Sequence, residues 1–121
     1  MGRLTTHVLD TMNGCPAAGM TVALQAADAA TGAGGWRELK RIVLNADGRA
    51  DAPLLEGAAL QAGRYRLVFE VAAYFRARGV QLPEPPFLDA VPLDFGIADV
   101  QAHYHVPLLA SPWAYSTYRG S

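Results

Sequence analysis

Cysteine is nearly absent: Cys15 is the single thiol in 121 residues. One thiol closes no intrachain disulfide and cannot fill a cysteine-rich zinc site, so the fold has to rest on its apolar core. An excess of either charge is missing too. Ten Lys and Arg against eleven Asp and Glu give a net charge of -1, without the basic surplus that a phosphate backbone attracts, so nucleic acid is not an expected partner. No apolar run approaches the roughly 20 residues that span a bilayer, and the opening Met1-Gly2-Arg3-Leu4-Thr5-Thr6-His7 has no apolar leader stretch. A cytoplasmic protein without membrane contact is the resulting expectation. One domain over residues 1–121 is expected as well, because at this size a single core buries roughly two thirds of the surface exposed by the unfolded chain.

What the chain does have is punctuation. Twelve glycines and eight prolines fall between short apolar runs rather than inside long ones, the pattern of a β-rich domain. Residues 4–10 alternate as a strand, with Leu4, Thr6 and Val8 on one face and Thr5, His7 and Leu9 on the other. Asn13-Gly14-Cys15-Pro16 turns the chain; residues 20–26 then alternate again, with Val22 and Leu24 inward and Thr21, Ala23 and Gln25 outward. Thr31-Gly32-Ala33-Gly34-Gly35 reads as a hairpin tip, and a third strand starts near Trp36. Asn45-Ala46-Asp47-Gly48 is a strong turn signal that puts Arg49 at the mouth of a strand. The best alternation runs over residues 64–71, with Tyr65, Leu67, Phe69 and Val71 opposed to Arg64, Arg66, Val68 and Glu70. Residues 72–78 read as one or two helical turns closed by Gly79, followed by the stiff loop Leu82-Pro83-Glu84-Pro85-Pro86. Strands are then expected over 88–94, where Pro92 marks an edge or a bulge, over 101–108 and over 113–118, the last two joined by a corner at Ser111-Pro112. About eight short strands and one short helix predict an all-β sandwich, whose edge strands would be relieved by pairing between subunits.

Few residues in this frame can carry chemistry. His103 and His105 are two apart on one strand and project from the same face, but a metal would need a third ligand, and Cys15 in its turn beside Pro16 reads as a small packing residue. No Gly-x-Ser-x-Gly elbow is present, which leaves a covalent serine mechanism without support. His7 alone reads as a solvated outer-face residue, and Arg49 alone as a surface strand residue. Together, two imidazoles and a guanidinium supply a base for water and a donor for a developing oxyanion. The tail Tyr115-Ser116-Thr117-Tyr118-Arg119-Gly120-Ser121 concentrates aromatics, hydroxyls and a cation where chains usually fray.

The residues so assembled resemble a known family, the transthyretin-like 5-hydroxyisourate hydrolases. The resemblance rests on Leu4-Thr5-Thr6-His7-Val8-Leu9-Asp10-Thr11, Gly14-Cys15-Pro16-Ala17, Asn45-Ala46-Asp47-Gly48-Arg49, Phe69-Glu70 and Tyr74-Phe75. It continues in His103-Tyr104-His105-Val106-Pro107-Leu108-Leu109, Ser111-Pro112 and the tail, whose Tyr-Arg-Gly-Ser end separates the hydrolases from the hormone-carrying transthyretins. It implies a sandwich of two four-stranded sheets with one short helix, paired edge to edge and stacked as a homotetramer with active sites at the dimer–dimer interface. It implies His7, Arg49 and His105 as the catalytic trio, Tyr118, Arg119, Gly120 and Ser121 as substrate-binding residues, and a supporting or surface role for His103. The implied reaction opens the six-membered ring of 5-hydroxyisourate with no metal and no cofactor. The competing expectations are a ligand-carrying channel of the transthyretin kind and a purely structural sandwich subunit.

Overall fold

Side chains that alternate between apolar and polar, broken every few residues by Gly, Pro or Asx turns, fold into nine strands and one α-helix in the computed structural model, which describes residues 1–28 and 34–120. The strands are β1 (Arg3–Asp10), β2 (Cys15–Pro16), β3 (Thr21–Ala27), β4 (Trp36–Val43), β5 (Leu55–Glu56), β6 (Gly63–Glu70), β7 (Ala90–Ile97), β8 (His103–Ala110) and β9 (Tyr115–Thr117), with α1 (Val71–Ala77) after β6. One sheet runs β4-β3-β6-β7; the other runs β2-β1-β8-β9, with β5 also pairing β1. The two-sheet sandwich is as expected, and its second sheet holds a fifth strand because the two-residue strands β2 and β5 share one edge of β1. The hairpin tip expected at Thr31-Gly32-Ala33-Gly34-Gly35 falls mostly outside the described residues. No helix among the described residues is long and apolar enough to cross a membrane.

Local hydrogen bonds explain where the strands depart from the expected bounds. The strand placed over 88–94 begins at Ala90, because the Asp89 carbonyl accepts from Ala72 N at the start of α1, and it runs on through Gly96 to Ile97. Its Pro92 sits on a sheet edge as anticipated. β8 starts at His103 rather than 101, since Asp99 ties up Gln101 N through its side chain and Ala102 N through its carbonyl. β9 starts only at Tyr115 because Ser111 Oγ accepts from Trp113 N and Ala114 N. Ala23 points outward as its neighbours' alternation requires, yet only 2% of it is exposed: it lies in register between the larger Arg41 and Val68.

The core lies between the sheets, with Leu4 and Val8 of β1, Val22 and Leu24 of β3, Leu67 and Phe69 of β6, and Leu108 of β8 all buried. Each such side chain contributes about 1.5–3 kcal/mol on burial. β1 and β8 run parallel, pairing Arg3 with His103, Thr5 with His105 and His7 with Pro107. Since side chains alternate, the even residues of β1 and β8 enter the core, and Thr5, His7, His103 and His105 share the outer face.

One carboxylate is built into this core. Asp10, at the end of β1, is 1% exposed and accepts from Tyr74 OH at 2.8 Å, Asn13 N at 2.9 Å and Asn13 Nδ2 at 2.7 Å. Burial alone would raise its pKa, but the Asn13 and Tyr74 hydrogen bonds and the nearby Arg78 charge outweigh it and hold the carboxyl below its usual value. The stabilisation this carries is present above the ordinary carboxylate range and is lost as pH falls through the depressed value. Tyr74→Phe removes one bond to this charge and is expected to cost about 1.5–3 kcal/mol. Urea unfolding at neutral pH reads it directly; an unchanged midpoint would deny the bond its role in pinning the end of β1.

Candidate active site

The outer face of β1 and β8 becomes a site because both edges of the pair are finished by short backbone contacts. On the β1 edge, the turn over 45–48 docks through Val8 N, which donates to the Gly48 carbonyl at 2.9 Å. Gly48 has φ +72°, and a Cβ there would stand 2.5 Å from the Val8 carbonyl oxygen, so the turn approaches this closely only because residue 48 is glycine. Asn45 Oδ1 accepts from Asp47 N and Arg49 N, and Asn45 Nδ2 donates to Asp51. The loop so fixed sets Arg49 opposite His7 in an isolated antiparallel bridge. On the β8 edge, Gly120 bridges His105 in the same way, its N–H donating to the His105 carbonyl at 2.8 Å.

Across this face the order is therefore Arg49, then His7 and Thr5 of β1, then His103 and His105 of β8, then Gly120. Arg3, Thr5, Arg49, Asp51, His103 and His105 are among the residues that line a cleft of about 390 Å³, a size that suits a small polar ring compound. His7 stands outside that lining, its ring centroid 6.5 Å from that of His105. Thr5 Oγ1 lies 2.8 Å from His105 Nδ1 and 2.9 Å from His103 Nε2, one hydroxyl held between two imidazoles. Burial, followed by the Arg49 charge, lowers the pKa of both His7 and His105 from the usual 6.5; at His7 the neighbouring Asp47 partly opposes this, and at His105 the other two histidines add to it. Both rings thus stay neutral and basic to lower pH than a free imidazole. Beside them is the Arg49 guanidinium, so the face offers bases for water and a donor for a developing oxyanion.

The tail divides. Gly120 packs flat on His105: a Cβ at 120 would lie 2.5 Å from His105 Cδ2 and 3.1 Å from its Cγ. Gly120→Ala therefore has to push the ring or the tail aside, and wherever such a ring acts in catalysis a displacement of about 1 Å costs about 10²-fold. The expected result is a loss of that order in kcat/KM at an unchanged melting temperature; activity equal to wild type would show that the contact places nothing. Arg119 and Tyr118 go elsewhere. Arg119 Cζ stacks 4.2 Å from the Tyr104 ring centroid, Arg119 Nη2 reaches the His103 carbonyl at 3.5 Å, and Tyr118 is 62% exposed. Both line a second cleft, of about 420 Å³, with Leu93, Phe95 and Val106 between the edges of the two sheets. Ser121 lies outside the described residues.

Sequence reasoning missed Thr5 as the hub of the site. The available signal was its place two residues before His7 on the same face; its partnership with both β8 histidines needed the parallel register of β1 and β8. Cys15 pairs in register with the inward-pointing Asp10, its Sγ 4.0 Å from Asp10 Oδ2, so it lies on the face away from the histidines. Among the described residues no three of His, Cys, Asp and Glu converge as a metal site requires.

Known proteins resemble this chain over nearly its whole length. A 5-hydroxyisourate hydrolase of Ralstonia nicotianae is 57% identical over 122 residues, covering all of both chains. The crystal structure of (S)-allantoin synthase superposes with a TM-score of 0.90 at 44% identity, over 99% of this chain and 44% of that longer one. The sea bream transthyretin solved with thyroxine superposes with a TM-score of 0.85 at 28% identity, over 98% of this chain and 94% of that one. The HIUase/Transthyretin family model matches residues 4–120, and with the full-length hydrolase relative this shows that the chain belongs to the HIUase/Transthyretin family.

Proposed function

We propose that this protein hydrolyses 5-hydroxyisourate to 2-oxo-4-hydroxy-4-carboxy-5-ureidoimidazoline, with His105 as the base, His7 as its partner and Arg49 as the oxyanion donor. The observation that carries the reading is the convergence of His7, Arg49 and His105 on one outer face, with the pKa of both imidazoles lowered. Water loses its proton to the neutral His105 ring as its oxygen bonds to the ring carbonyl carbon of the substrate. Arg49 holds the oxygen on which negative charge gathers. When the tetrahedral intermediate collapses, the carbon–nitrogen bond breaks and an imidazolium returns a proton to the leaving nitrogen. His7, outside the cleft lining but facing His105, orients the water or delivers that proton. Imidazole and guanidinium suffice for these steps, so no metal is invoked. Tyr118, Arg119, Gly120 and Ser121 serve substrate binding in this reading, Gly120 through its contact with His105.

The site is taken to work in a homotetramer, a dimer of dimers with the histidine face at the dimer–dimer interface. Support comes from Leu9, an apolar side chain left exposed on that same outer face of β1. The test is the ultraviolet decay of freshly generated 5-hydroxyisourate. Added protein, verified as tetramer, should accelerate the decay far beyond the spontaneous rate, and dilution below the assembly range should lower specific activity. A verified tetramer that leaves the decay untouched would sink the hydrolase reading and favour a ligand-carrying channel.

A further inference from the structure

The Thr5 hydroxyl sits between two imidazoles, and it has one proton to give. His105 Nδ1 is 2.8 Å from Thr5 Oγ1, and His103 Nε2 is 2.9 Å from the same atom. If the hydroxyl donates to His105 Nδ1, the neutral His105 carries its own proton on Nε2 and presents a donor to whatever binds there. If the hydroxyl donates to His103 Nε2, its oxygen is left to accept from His105 Nδ1–H, and His105 Nε2 presents a lone pair. Which ring nitrogen carries the proton is set by the bond the other one makes. The choice at Thr5 is thus the choice between an acid and a base at His105.

We propose that Thr5 and His103 act as a positioning pair that holds His105 in the tautomer protonated at Nδ1, so that Nε2 is the lone pair that takes the proton of water. His103, protonated on its own Nδ1, accepts the Thr5 proton and turns the hydroxyl oxygen toward His105. The arrangement does for His105 what a carboxylate does for the histidine of a serine-protease triad, with a neutral hydroxyl in place of the charge. Once Nε2 has taken a proton, the Nδ1–H bond to Thr5 becomes charge-assisted and stronger.

The surroundings suit this division. Arg49 and His7 face His105 from the β1 side, Arg3 stands in register with His103, and Arg119 reaches the His103 carbonyl from the tail. Asp51, on the loop that carries Arg49, lines the same cleft. No acid among the described residues hydrogen-bonds either β8 imidazole, so the Thr5 bridge is the contact that can choose the tautomer. The proposal rests on the reading of His105 as the base, but the tautomer itself can be observed without substrate.

The experiment combines kinetics with nitrogen-15 NMR of histidine-labelled protein, on wild type, Thr5→Val, Thr5→Ser and His103→Leu. In wild type above the His105 pKa, the expected spectrum has the His105 proton on Nδ1. Thr5→Val keeps the shape of the side chain and loses the hydroxyl, so the spectrum should become a mixture of tautomers while kcat falls roughly tenfold or more at similar KM. His103→Leu should shift the proton to Nε2 with a comparable loss, and the double variant should be no worse than either single one. Thr5→Ser should restore both spectrum and rate, which a packing role alone would not require. A wild-type His105 protonated on Nε2 overturns the proposal, and so does a Thr5→Val protein with unchanged tautomer or full kcat. Wild-type protein with the expected tautomer and no turnover would instead overturn the hydrolase reading and leave the positioning pair standing.

Discussion

His105→Ala is expected to lower kcat/KM toward 5-hydroxyisourate by about 10²–10⁴-fold, the usual worth of a positioned general base. The loss should fall mainly on kcat. Arg49, which holds the substrate oxygens in the proposed mechanism, is untouched by the change, and the ring that alanine removes lies on the outer face of β8 rather than in the core. Folding should therefore survive. The diagnostic is the pH profile. Burial first, and then the Arg49 charge, hold His105 below the usual imidazole value of 6.5, so its neutral form persists to lower pH than that of a free imidazole. The acid limb of wild-type kcat/KM should lie below the usual imidazole value, with activity declining as pH drops through the depressed pKa of His105. In His105→Ala that limb should vanish or be replaced by one that belongs to His7. A variant that keeps the wild-type profile at reduced rate would remove His105 from acid–base work and leave it a structural support.

How far the site could be read in advance depends on which contacts were local. Alternation in residues 4–10 put Thr5 and His7 on one face, and the i, i+2 spacing of His103 and His105 put both on one face of another strand, and both placements hold. That the two faces are one surface is a matter of register, because β1 and β8 are neighbours separated by almost the whole chain and running parallel. A parallel pair carries no hairpin signal, so alternation within each strand says nothing about Thr5 meeting His105. The turn at Asn45-Ala46-Asp47-Gly48 was plain from its residue types, but its docking on Val8, which brings Arg49 to His7, depends on a tertiary approach only glycine permits. β2 and β5 were unreadable for another reason: two residues are too few to alternate. The tail shows the limit most clearly. Four consecutive residues were assigned one role through a resemblance, and the fold sends Gly120 to the His105 ring while Arg119 stacks on Tyr104.

This divided tail also constrains how the site is completed. The cleft beside His105 is open on the outer face, and Tyr118 and Arg119 border a separate depression at the sheet edges. Within one chain they do not meet Arg49. If they touch substrate, either the tail shifts or a second subunit presents its own tail to the cleft, and association of histidine faces offers the second route without disturbing the Gly120 contact.

Arg49→Met is the second change with a large expected effect, because it acts on rate and on pH dependence together. Methionine keeps an unbranched chain of similar reach and removes the guanidinium, so the donor proposed for the developing oxyanion is lost; one such donor is worth about 10²–10³-fold in kcat. The same charge joins burial in lowering the pKa of both His7 and His105. Without it, protonation of either ring becomes easier, and the acid limb of kcat/KM should move to higher pH, toward the ordinary imidazole range. Arg49→Lys separates the two roles. It retains a positive charge and should leave the limb near its wild-type position, while the loss of the planar, forked donor still lowers kcat. The backbone bridge between residues 49 and 7 survives in both variants, so His7 stays in place. A methionine variant whose limb stays put or moves to lower pH would show that Arg49 does not set the basicity of the histidines. A methionine variant of near wild-type kcat would remove Arg49 from oxyanion stabilisation and leave substrate binding as its role.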